Sequence, residues 1–140
     1  MLATMTRTNR SPTQKRLAIT IVNLPELLKT AFRPGQTVAI VVAVEVEGLS
    51  TYEIEASWDR EVLELAGAAK REFRVHRSSA IRQKSLWKIR MLRSKRGARG
   101  IVQFWVQGDG ITQAASLTLR TAGLKKGEVQ SEKYKSLSKK

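Results

Sequence analysis

The segment QTVAIVVAVEV, Gln36 to Val46, leaves little choice of backbone. Val38, Ile40, Val42, Val44 and Val46 recur at every second position, and each is β-branched. Such side chains lose χ1 freedom in a helix but pack well on a pleated surface. A period of two places all five on one face of a strand. The opposite phase, Thr37, Ala39, Val41, Ala43 and Glu45, grades from semi-apolar to charged. That is the pattern of a strand leaving a covered region.

The same period runs through the chain. Arg16 to Leu24, RLAITIVNL, reads as a first strand stopped by Pro25, and Pro34-Gly35 supplies the next turn. Tyr52, Ile54, Ala56 and Trp58 alternate with Glu53, Glu55 and Ser57, a half-buried strand with one wet face. Asp59 to Leu65 reads as a short helical turn or irregular edge, capped by Asp59, with Val62, Leu63 and Leu65 plugging the core. Ala69, Arg71, Phe73 and Val75 then alternate against Lys70, Glu72, Arg74 and His76. Trp87, Ile89 and Met91 alternate with Lys88, Arg90 and Leu92. Val102, Phe104 and Val106 alternate with Ile101, Gln103, Trp105 and Gln107. Gly108 to Gly110, GDG, predicts a tight hairpin into Ala115, Leu117 and Leu119.

Seven short alternating strands within about 100 residues predict an all-β domain, a seven-stranded antiparallel immunoglobulin-like β-sandwich. Residues 1–14 form a basic N-terminal arm, 15–121 the sandwich and 122–140 a Lys-rich tail. Both ends are read as flexible, being polar and poor in apolar anchors. FRPGQTVAIVVAVEVEGLSTYEIEASWDREVLEL resembles the opening of bacterial immunoglobulin-like and cohesin-like domains, in which a PGxxV turn feeds a long Val-rich strand. SLWKIRMLRSKRGARGIVQFWVQGDG resembles their later part, a Trp strand, a Gly-centred turn and an F-type strand. The resemblance is one of fold, and it implies binding or spacing rather than catalysis.

No catalytic constellation stands out. His76 is the lone histidine and lies between Arg74 and Arg77, which disfavour its protonation. Glu45, Glu47, Glu53 and Glu55 alternate with apolar residues, which predicts solvated carboxylates rather than a glycosidase pair. Asp59, Glu61 and Asp109 are the nearest approach to a calcium site, but an immunoglobulin-like topology puts Asp59 and Asp109 at opposite ends. Neither a phosphate-binding glycine loop nor HExxH is present. The expectation is a non-enzymatic chain without cofactor, metal or small-molecule substrate. The absence of cysteine suits a reducing compartment, and the N-terminus lacks the apolar core of a secretion signal, so a cytoplasmic location is expected. No apolar run reaches the length of a membrane span.

Charge narrows the choice of partner. The 140 residues carry a net charge of +14, a field that favours polyanions, anionic membranes or acidic protein surfaces. Arg71 to Gly100 alone holds eleven Lys or Arg and one acid, Glu72. The strand-borne Lys88 and Arg90 are expected beside Glu45 and Glu47, as ordinary exposed pairs. Arg77, Arg82 and Lys84, with Arg93, Lys95, Arg96 and Arg99, are assigned to loops and form the candidate anion or phosphate site. Phe73 and Trp87 fall on the core phase and are not free to stack on bases, so nucleic-acid contact would be to backbone and without sequence preference.

A second site is predicted on the opposite side. Trp105 lies on the outward phase with Ile101 and Gln103, flanked by Glu53 and Glu55 and by Ser116 and Thr118. A lone Trp on a polar, lysine-poor face is a typical interface anchor. Cover by a terminal arm, or a one-residue error of phase, are the competing explanations. The expected function is an accessory binding module of a larger intracellular assembly, docking a protein through the Trp105 face and an anionic surface through the basic loops. The alternative is a sequence-nonspecific nucleic-acid or ribonucleoprotein binder working through those loops and the tails. A secreted carbohydrate-binding domain would need a row of exposed aromatics, and one Trp is too few.

Overall fold

The computed structural model describes residues 14–76, 80–92 and 97–122. Among them are nine strands and one short helix: β1 (Arg16–Ile21), α1 (Leu24–Lys29), β2 (Ala31–Phe32), β3 (Thr37–Glu47), β4 (Thr51–Trp58), β5 (Leu63–Ala66), β6 (Lys70–Arg74), β7 (Ala80–Met91), β8 (Arg99–Gly108) and β9 (Ile111–Thr121). The chain is all-β, with two sheets. One has the order β1-β3-β7-β5 and the other β2-β9-β8-β4-β6.

The alternation decides what is buried. Ile40, Val42 and Val44 of β3 are wholly buried, as are Trp87 and Ile89 of β7 and Val102, Phe104 and Val106 of β8. These side chains meet in one core between the sheets, where the Trp87 and Phe104 rings pack edge to face at 5.2 Å. Each such residue contributes roughly 1.5–3 kcal/mol by leaving water. The phase read from the sequence therefore holds along the three central strands.

Four differences from the expected strand map have local causes. The first strand ends at Ile21, and Pro25 opens α1 instead of only stopping a strand. Proline suits a first helical turn, where its missing N–H has no partner to lose. The Asn23 side chain extends the ladder beyond β1: its amide donates to the Ala39 carbonyl and accepts from the Val41 N–H. Ala31–Phe32 then pairs parallel with the end of β9, so the segment from Arg16 to Phe32 bonds to both sheets.

Within Asp59 to Leu65, Asp59 does cap a turn. Its side chain accepts from the Glu61 N–H and its carbonyl from those of Val62 and Leu63. From Leu63 onward, however, the segment is a strand, β5, paired with β7. Strand β7 also begins at Ala80, well before the expected Ser85. The GDG turn behaves as read: Gly108 pairs with Ile111, and Asp109 and Gly110 both take positive φ (49° and 81°). That is the two-residue geometry whose twist matches antiparallel strands.

Candidate docking face and basic edge

Strand β8 is central to its sheet, between β4 and β9. Its odd residues point outward. Ile101 and Trp105 are 58 % and 41 % exposed, while Val102, Phe104 and Val106 are fully buried. That contrast excludes a one-residue slip. The register sets Trp105 between Glu55 and Ala114, and Gln103 between Ser57 and Ser116. Ile101 has Thr118 on one side, and its carbonyl accepts from the Asp59 N–H on the other. Glu53 lies opposite Gln107, one position further along, and pairs with Lys70 at 3.8 Å. Thus Trp105, Ile101, Gln103, Glu53 and Glu55 do share one outer face.

At the Ile101 end the face sinks into a shallow hollow of about 530 Å³ lined by Ser57, Trp58, Asp59, Arg99, Gln103 and Thr118 as well as Ile101. Arg60 sits over the Trp58 ring at 4.4 Å, at the edge of this region. Arg99 is a correction. It is a strand residue of β8, in phase with Ile101 and opposite Arg120, and it borders the Trp105 face.

Arg82 and Lys84 are also strand residues, not loop residues, and both are exposed on β7. They lie opposite Glu45 and Ala43 of β3. Glu45 approaches Arg82 at 3.8 Å and Arg16 at 2.9 Å, so one carboxylate faces two cations. The pairing of β3 with β7 is as expected, but the register moves the partners. Lys88 and Arg90 stand opposite Ala39 and Thr37, not the glutamates, and Arg90 pairs with Glu64 of β5.

Of the expected anion site, only Arg82, Lys84 and Arg99 are among the described residues, and these are divided. Arg99 is on one sheet and Arg82 with Lys84 on the other. Arg77, Arg93, Lys95 and Arg96 lie outside the described residues. A single basic pole is not assembled from these strands.

Sequence reading gave Arg71 no role, although its phase with Phe73 and Val75 marked it as inward-facing. Its guanidinium stacks 3.7 Å from the centre of the Trp87 ring and donates at 2.8 Å to the Leu86 carbonyl. Loss of hydration lowers its pKa. Nearby, the Tyr52 hydroxyl donates to Gln83 across the sheets at 2.7 Å, and its ring stacks on Phe73 at 5.0 Å. Burial pushes the Tyr52 pKa up to about 12.

Asp59 and Asp109 sit at opposite ends of β8. Among the described residues no cluster of three or more His, Asp or Glu could hold a metal ion, and no helix is long and apolar enough to cross a membrane. No protein-family model matches the chain, and no curated protein is similar to it in sequence.

Proposed function

We propose that this chain is a non-catalytic accessory module of immunoglobulin-like sandwich type, docking a protein partner in a larger intracellular assembly through the outer face of β8. The observation that carries the reading is Trp105, 41 % exposed beside Ile101 on a central strand whose other phase is fully buried. A rigid aromatic held on a two-sided ladder gives a partner a preorganised contact, with little side-chain entropy left to lose. The polar flank of Glu55, Gln103 and Ser116 suits the rim of such an interface. Exposed Arg99 borders that face and would meet an anionic part of the same partner, whereas Arg82 and Lys84, on the other sheet, would meet a separate anionic surface.

Strand order supports the immunoglobulin-like assignment. The sequence β1-β3-β7-β5 corresponds to A-B-E-D, and β4-β8-β9 to C-F-G. The departures are β2, which adds a short parallel strand beside β9, and β6, which extends the second sheet next to β4 but follows β5 in the chain.

Affinity capture from native lysate tests the reading, with and without nuclease and at low and physiological salt. A protein partner retained after nuclease and in salt, and lost with Trp105→Ala, is the expected result. Capture that disappears with nuclease and falls steeply with salt, indifferent to Trp105→Ala, would instead establish the nucleic-acid reading.

A further inference from the structure

Strand β7 has twelve residues, but β5 covers only the stretch from Lys88 to Met91 on its outer side. Beyond Ala66, no described strand lies along Ala80 to Leu86 on that edge. The hydrogen-bonding phase is fixed by the ends. Met91 exchanges bonds with Gln36 and Gly35 on the β3 side, whereas the Leu92 N–H turns away to the Val62 carbonyl. In an antiparallel ladder this alternates, so the even residues of β7 direct their N–H and C=O groups away from β3. Leu86 fits, since Arg71 takes its carbonyl. The main-chain groups of Arg82 and Lys84 therefore face the open edge.

We propose that this edge, Ala80 to Ser85, ending where Arg71 caps the Leu86 carbonyl, binds an extended acidic peptide segment of a partner as an added β-strand. Two features select the occupant. The outer face along the edge carries Arg82, Lys84 and the half-exposed Leu86, and Glu45 answers only part of that charge. The inner face meets Ile81, Phe73 and Val75, which are partly buried against the core. A strand alternating acidic with β-branched residues satisfies both faces, while main-chain bonds supply affinity whatever its exact sequence. A second copy is disfavoured, because antiparallel pairing of two such edges would set Arg82 and Lys84 against their own counterparts. This edge belongs to the other sheet from Trp105 and does not depend on that face.

Fluorescence anisotropy with the full chain tests the proposal, using a labelled, end-blocked (Val-Glu)3-Val peptide. N-methylation of alternate amides leaves the charge intact but removes donors and blocks pairing. It is expected to weaken binding at least about tenfold, the scale of one or two net hydrogen bonds. Lys84→Pro removes an edge-facing donor at a position where a ladder tolerates proline, and is expected to do the same. Trp105→Ala should leave peptide binding unchanged. Equal binding of the methylated peptide, or of an isomer with its acids contiguous, overturns the proposal whether or not Lys84→Pro folds. So does an oligonucleotide that outcompetes the peptide at matched charge, or a dimer in sedimentation that dissolves on Lys84→Pro.

Discussion

Tyr52 ties the two sheets together by its hydroxyl, and burial sets the pH at which the tie fails. Its pKa rises from 10.0 to about 12 in the folded chain. The unfolded chain releases this proton near pH 10, while the folded chain holds it to about 12. The contribution is therefore complete below pH 10 and lost as pH rises from 10 to 12. Unfolding measured at about pH 9 and pH 11 should show a steeper loss for the parent than for Tyr52→Phe. Arg71 is a different case, held by a ring and a carbonyl. Arg71→Ala should destabilise by about 1–2 kcal/mol, and Lys should not restore it fully, because an ammonium lacks the flat guanidinium that stacks. Gly48 closes the turn after β3 with φ of 81°, and an added Cβ would stand 2.4 Å from the Gln14 carbonyl oxygen. Gly48→Ala should destabilise by roughly 1–3 kcal/mol in chemical denaturation.

Elements show where a reading by period succeeds. Strands β3, β4 and β8 each have a partner on both sides and a continuous apolar phase, so their alternation reports directly on burial. The outer position of Trp105 follows from the same signal. The start of β7 was hidden because, among Ile81, Gln83 and Ser85, only Ile81 is apolar. A strand with a bare edge needs less apolar surface, and its polar side chains resemble a loop. β5 was hidden for another reason, since four residues are too few to display a period. Polar sequence alone therefore places Arg82, Lys84 and Arg99 in loops, and the separation of these three between the sheets is legible only from the register. Because Trp105 is outside the core, Trp105→Ala should change thermal unfolding little, within about 0.5 kcal/mol, while abolishing partner capture.

At the scale of the molecule the net charge of +14 opposes compactness. The ion pairs among the described residues are surface pairs, weak individually and screened by salt. Self-repulsion is screened as well, and with 26 cations against 12 acids it dominates. The melting temperature should rise between low and physiological ionic strength; a fall would mean that the pairs outweigh the repulsion. The segment from Arg16 to Phe32 enters this balance differently, being laced first to β3 and then to β9. Tension applied between the two ends of the described chain would reach these two seams in series: stripping β1 from β3 loads the parallel pairing of Ala31 and Phe32 with β9 only afterwards, so that short parallel clamp is the second and separate latch.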